Sequence, residues 1–414
     1  MHEYAGQGTR GQVTKIAACC STLAAVWLLC AGLMILPLCS QAQTAEPSRR
    51  AEVWLVTYGP GEIYWQRFGH NGIWIRDTGL GLDHVFNFGF FDFAQKGFLL
   101  HFLQGRLMYF SAAQPAQKEF AQYIDENRSI RVQRLDLTEE QALSLTDYLV
   151  NEVQPANRDY LYDYYWNNCS TRVRDALDMA LGKVMQETYS PLAAPQNLRD
   201  HTRRLTIADY WLYLGLELVL GSPIDRPISR WDEFFIPAKL AEGVAQMSVG
   251  PQASAHPLVL EDVMLYASSL RAPPERTAQW WPRYLALAAG ALAVAMVLSL
   301  LIHRLQPLLM ARSWLLVSGL LGLALLCLWF FTDHDVARNN LNLALFNPLW
   351  LLCWGGRRLC FIAACLLVGL GTAAVLMTQL PPHQYTADVL AAFFPLNLAA
   401  AWVLLPAHAR TETL

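Results

Sequence analysis

Nucleophilic catalysis by a thiol needs a cysteine, an imidazole to take its proton and a polar group to hold that imidazole in place. This chain carries candidates for all three within one polar stretch. Cys169 lies in Tyr162-Asp163-Tyr164-Tyr165-Trp166-Asn167-Asn168-Cys169-Ser170-Thr171-Arg172, and it alone of the nine cysteines stands outside an apolar segment. Cysteines in an oxidising compartment tend to pair, so a solitary one in an exported segment is either a silent buried thiol or a nucleophile. His70, in Phe68-Gly69-His70-Asn71, is the best base. A lone histidine more often ends a strand and satisfies a carbonyl, but opposite an unpaired cysteine at a helix start the balance moves to catalysis. His84, Asn87 and Asp92 compete for the orienting role. His84 and Asn87 alternate to opposite faces of one strand, so at most one of them points at His70. His101, His201 and His256 have no partner at ligand spacing and read as ordinary surface or core histidines.

The elements that must position these groups are legible around them. Val53–Tyr58 is strand-like and broken by Gly59-Pro60-Gly61; Gly72–Arg76 is a second strand, ended by Asp77-Thr78-Gly79, with His70 just before it. His84–Gly89 follows as a third. Cys169 opens a helix: Val173, Leu177 and Ala180 recur at helical spacing, Asn168 is placed to cap the first turn and Gly182 stops the run. The positive end of that helix predicts a lowered thiol pKa, and its free N–H groups could hold an oxyanion. Asn168, Ser170 and Arg172 are the candidates for oxyanion or substrate binding. For Arg172 the alternatives are a lipid phosphate and a salt-bridged helix face. Asp163 and the tyrosines before Cys169 read as framework.

Residues are 54% hydrophobic and 16% charged, with a mean hydropathy of +0.22, too apolar for a soluble chain of 414 residues. The net charge of -3 and the lack of a basic stripe give no case for nucleic acid. The apolar run 16–39 sits behind Arg10 and Lys15 and precedes Ser40-Gln41-Ala42, which marks 1–42 as a signal peptide or an N-terminal anchor. Residues 43–280 can bury a core of their own. Beyond the interfacial cluster Trp280-Trp281-Pro282, residues 281–406 hold apolar runs at about 284–302, 313–331, 341–356, 359–379 and 387–406, with 407–414 as a tail. This gives five spans, or four if the short third run is re-entrant. With five, Arg304, Arg312, Arg357, Arg358 and Arg410 all fall inside, as the positive-inside rule requires.

Phe68-Gly69-His70, Phe86-Asn87-Phe88-Gly89-Phe90-Phe91-Asp92-Phe93, Tyr162-Asp163-Tyr164 with Asn168-Cys169-Ser170-Thr171-Arg172, and Phe235-Ile236-Pro237 resemble, in order and spacing, the motifs of the Lnb lipoprotein N-acyltransferase family, whose exported domain is also known as DUF4105. His334-Asp335, Asn340-Leu341-Asn342 and Phe346-Asn347-Pro348-Leu349 are similar to the motif of that family's membrane domain. The resemblance implies an α+β chain: a permuted papain-like (NlpC/P60-like) thiol domain, with histidine before cysteine, followed by an α-helical transmembrane bundle. It favours Asn87 as the third member, although His84 would fit the place of the second histidine in lecithin:retinol acyltransferase relatives. It also implies a multi-pass protein of the bacterial inner membrane, with the thiol on the periplasmic side. The implied reaction carries an acyl chain from a phospholipid, through a thioester on Cys169, to the amine of a diacylglyceryl-cysteine lipoprotein, without metal or organic cofactor. His334 and Asp335 would then line the lipid's path or simply pack on the exported domain. The rival readings are a periplasmic cysteine peptidase or amidase, a phospholipase, and a non-enzymatic membrane scaffold.

Overall fold

The computed structural model describes residues 51–404 apart from 93, 252–253, 278, 302–306, 356–358 and most of 360–383. The run 16–39 and the tail 407–414 lie outside the described residues. Among the described residues nine strands form: β1 (Ala51–Tyr58), β2 (His70–Asp77), β3 (Leu82–Phe90), β4 (Met108–Pro115), β5 (Ile130–Leu135), β6 (Asp159–Leu161), a short ribbon of β7 (Ser248–Val249) and β8 (His256–Pro257), and β9 (Val259–Tyr266). Seven of them build one antiparallel sheet in the order β6-β4-β3-β2-β1-β5-β9. Among the described residues the helices are α1 (Phe98–Gln104), α2 (Ala116–Asp125), α3 (Glu139–Glu152), α4 (Cys169–Ala180), α5 (Val184–Tyr189), α6 (Leu198–Thr206), α7 (Tyr210–Val219), α8 (Arg230–Glu233), α9 (Pro237–Gln246), α10 (Trp281–Leu301), α11 (Pro307–Phe331) and α12 (Ala387–Leu404). The chain is α+β, a sheet domain followed by apolar helices.

The sheet is covered on both faces, which is why β1 is buried without alternation from Val53 to Tyr58. Val53, Leu55, Ile73, Ile75, Phe86 and Phe88 pack under α3, α4 and α9, through Leu145, Leu149, Val173, Leu177, Leu240 and Val244. Trp54, Val56, Tyr58 and Val85 face the other way, onto α2 through Ala116 and Phe120. A bulge between Asn87 and Phe90 breaks the β3–β4 register. It carries Gly89 at φ 97°, and a Cβ there would sit 3.4 Å from the Cβ of Cys169. The bulge re-aims the end of β3 at the start of α4.

Among the described residues three helices, α10, α11 and α12, are long and apolar enough to cross a membrane. The third apolar run, expected as a short span or a re-entrant segment, is broken into two pieces. Leu341–Ala344 and Pro348–Trp354 are short 3₁₀ segments, each opened by an asparagine whose side chain accepts from the turn that follows, Asn340 from Asn342 N and Asn347 from Leu349 N. Pro348 stands at the first position of the second segment, where its missing N–H costs nothing. Asn340 Nδ2 also donates to the carbonyls of Leu218 and Val219, and Asn342 Nδ2 to those of Glu217 and Leu218, closing the carboxyl end of α7. Leu341 N donates to Gln384 Oε1 at 2.7 Å, which ties this segment to the residues before α12. Of the fourth expected span, 359–379, only scattered positions are described.

Gly322 of α11 lies against the Phe346 carbonyl oxygen, which a Cβ at that position would overlap. Backbone cannot be displaced as a side-chain tip can. Gly322→Ala is expected to destabilise the fold by about 2 kcal/mol or more, seen as a lower unfolding temperature of the detergent-solubilised protein.

Candidate active site

His70 opens β2 and Cys169 opens α4, and the residues next to them tie the two elements together. The Ser170 hydroxyl lies 2.6 Å from the Phe234 carbonyl and 2.8 Å from Asn71 Oδ1, sharing one proton between the two acceptors. Asn71 Nδ2 donates to Thr57 Oγ1 at 2.8 Å and to the Val56 carbonyl at 3.2 Å. Asn71 and Ser170 are both fully buried. Asn168 caps α4, its Oδ1 accepting from the N–H groups of Ser170 and Thr171, while its Nδ2 donates to the carbonyls of Tyr164 and Phe235. The Phe235-Ile236-Pro237 motif is therefore the backbone against which the start of α4 is seated.

The imidazole is held from its far side. His70 Nε2 lies 3.0 Å from Asn87 Oδ1. Asn87 Nδ2 donates to Glu119 Oε2 at 2.7 Å and to the Val85 carbonyl at 3.3 Å, so its oxygen is the atom left for the ring. That fixes the proton of a neutral His70 on Nε2 and leaves the Nδ1 lone pair free to accept. Tyr58 in turn donates to Glu119 Oε1 at 2.5 Å. Gly72 pairs with Asn87 across the β2–β3 ladder, and a Cβ on it would stand 2.8 Å from Asn87 Oδ1. Only glycine leaves the amide room to reach His70.

Burial dominates the electrostatics. It pulls the His70 pKa down to about 4, with the Arg128 guanidinium acting the same way and the Asn87 bond opposing it. It pushes the Cys169 thiol up to about 11, against the opposing pull of the Asn71 and Ser170 N–H groups and of Arg128. The lowered thiol pKa predicted from the helix start is thus overturned: loss of solvent outweighs the helix end. The resting pair is a neutral thiol and a neutral imidazole. Glu119 is pushed up to about 7, mainly by burial, with the bonds from Tyr58 and Asn87 working downward. The folded chain keeps that proton to near neutrality whereas an unfolded one releases it near 4.3; the stability it confers is full below the lower value and lost as pH rises through about 7.

Among the predicted residues, His70 and Asn87 are hydrogen-bonded, and the Asn71–Ser170 bond sets the start of β2 beside the start of α4 at Cys169. Asn168 and Ser170 flank the thiol, but their side chains are committed to seating α4. Arg172 pairs with Glu152 at 2.6 Å and lies over the rings of Tyr160 and Phe88, which is the salt-bridged alternative. His84 stands away from His70, its Nδ1 accepting from the backbone of Asp83, and exposed Asp92 accepts from Ala94 N. His334 packs on the sheet domain, 3.0 Å from the Phe102 carbonyl, and Asp335 pairs with Arg338. Buried His201 bonds Glu233. Glu119, Tyr58, Asn71 and Arg128 were missed. Asn71 could have been suspected as the buried-side neighbour of His70; nothing in the sequence around Glu119 points to it. Among the described residues no group of three or more His, Cys, Asp or Glu could hold a metal ion.

A sheet domain bearing this site, joined to helices of membrane-spanning length, defines a membrane protein with one exported domain. Residues 41–204 match the Lnb N-terminal periplasmic domain and residues 275–360 the Lnb transmembrane domain. The two matches together span more than half of the chain, and it belongs to the Lnb family. No curated protein and no solved structure matches it.

A neutral thiol alkylates slowly. Iodoacetamide labelling of Cys169, followed by peptide mass spectrometry, is expected to be slow at pH 7 and to rise steeply toward pH 11, where a thiolate–imidazolium pair would label fast at neutral pH.

Proposed function

We propose that this protein is a membrane-bound thiol acyltransferase that moves an acyl chain from a phospholipid to the N-terminal amine of a diacylglyceryl-cysteine lipoprotein, with Cys169 as nucleophile, His70 as base and Asn87 as the group that orients the base. The observation that carries this reading is the His70–Asn87 hydrogen bond, made on a sheet whose neighbouring helix begins at Cys169. A cysteine at a helix start, facing a histidine and an asparagine on adjacent strands, is the papain-like arrangement, here in permuted order. Family membership and the apolar helices favour a lipid substrate over a wall peptide.

As the sulfur attacks the ester carbonyl, the thiol proton passes to His70 Nδ1 and the C–S bond forms. Because the resting pair is neutral, proton transfer accompanies attack rather than preceding it. Collapse expels the lysophospholipid alkoxide, which takes the proton from His70. The lipoprotein amine then attacks the thioester and gives a proton to His70; the C–S bond breaks and the departing thiolate regains a proton from the imidazolium. N–H groups of Asn71 and Cys169 lie toward the sulfur and are the donors available to the oxyanion. In this scheme the bilayer is the bacterial inner membrane.

Incubation with phospholipid should give an intact-mass increase of one acyl chain on Cys169. Cys169→Ala should lose the adduct and lower conversion of diacyl to triacyl lipoprotein by about 10³-fold or more, in a strain without other N-acyltransferases. Full triacylation by that variant sinks the scheme; free fatty acid without acylated lipoprotein would identify a phospholipase.

Glu119 acts through Asn87, as a positioning residue whose negative charge favours the imidazolium formed during the reaction. Activity is therefore expected to rise with pH through about 7 as Glu119 loses its proton. In Glu119→Gln that limb should vanish and the rate at pH 8 should fall about tenfold; an equal loss at every pH would reduce Glu119 to a packing role.

A further inference from the structure

Helix α1 carries no charged side chain, and its large apolar residues point outward: Leu99 is 68% exposed, Leu100 58% and Leu103 52%. On a surface facing water such a helix has no physical reason to stay folded as it is. Its position supplies one. The helix is pinned to the loop that follows α11, with Asp333 N donating to the Gln104 carbonyl at 2.8 Å, Arg106 pairing with Asp333 at 2.7 Å, and His334 Nε2 donating to the Phe102 carbonyl at 3.0 Å. Gly105, at φ 76°, lets the two backbones meet; a Cβ there would stand 2.9 Å from His334 N. The last residue of α11, Phe331, is 80% exposed, so the outward leucines lie at the depth where a membrane-spanning helix ends with its own apolar side chains bare. Trp280, Tyr210 and the exposed Trp211 and Trp281 supply a belt of the kind that marks a bilayer surface.

From α1 a chain of rings runs inward. Phe98 stacks on Phe91, Phe91 on Tyr109 and Tyr109 on Tyr162, while exposed Trp65 meets Phe91 edge-on beside Tyr64. Burial raises the Tyr109 and Tyr162 pKa, and both lie near enough to the Cys169 sulfur for its ionised form to raise them further. We propose that α1, with the Tyr64–Trp65 turn beside it, is sunk into the acyl region of the leaflet on the sheet-domain side, so that the aromatic wall leading to Cys169 opens within lipid and not in water. The occupant is the phospholipid bilayer itself, because the patch is continuous through Asp333 and His334 with the end of α11. This seat does not depend on what Cys169 does.

The test uses the full chain carrying Cys169→Ala, in nanodiscs of phosphatidylethanolamine and phosphatidylglycerol, with a photoreactive residue installed singly as Leu99→p-benzoylphenylalanine, Leu100→p-benzoylphenylalanine or Leu103→p-benzoylphenylalanine. Phe331→p-benzoylphenylalanine reports lipid contact. Leu80→p-benzoylphenylalanine, in the turn at the far end of the β2–β3 hairpin roughly 20 Å from His70, reports its absence. After irradiation, intact-mass phospholipid adducts at the α1 positions are expected at about the level of position 331 and at least about tenfold above position 80. Adducts no higher than at position 80 overturn the proposal. The three α1 side chains are exposed, so the loss of one variant to misfolding leaves two to decide the outcome.

Discussion

The Asn71–Ser170 contact is the bond on which the site depends. It joins the residue after the candidate base to the residue after the candidate nucleophile, and both partners are sealed from water. A buried polar pair is costly to leave unmatched, so each element has only one arrangement that satisfies the other. Thr57 and Val56 hold Asn71 from β1, and Phe234 holds Ser170 from the segment before α9. Two adjoining strands and two helical elements thus converge on one junction. His70 and Cys169 inherit their proximity from it rather than from any bond of their own.

Behind the imidazole the arrangement is layered by charge. Asn87 is the neutral link; Glu119 is the ionisable group behind it, and Tyr58 donates to its other oxygen. Interposing an amide keeps a carboxylate from bonding the ring directly, which would hold His70 as a permanent imidazolium. The same burial that raises Glu119 lowers His70, so in each group it is the charged form that loss of solvent disfavours.

Much of this was legible in the sequence. Strand runs broken by glycine, the Asn168 cap, the Val173 and Leu177 spacing and the solitary cysteine sit where the residues around them say they should. Glu119 was not legible, because its meeting with Asn87 spans 32 positions and exists only after α2 folds across the sheet. For the third apolar run the sequence left a span and a re-entrant segment open, because length and hydropathy do not show that Asn340 and Asn342 bond the end of α7 or that Asn347 caps a 3₁₀ turn. The sign of the thiol shift failed for a related reason. A helix end is local and readable, but depth below the surface belongs to the whole fold.

That depth has a chemical consequence. Peroxide and other oxidants attack the thiolate, and a thiol whose pKa burial pushes up exposes little of that form at pH 7. A cysteine kept ready by charge alone would be spent slowly by its surroundings outside the cytoplasm. This one is held mainly as the thiol, the form that such oxidants leave alone.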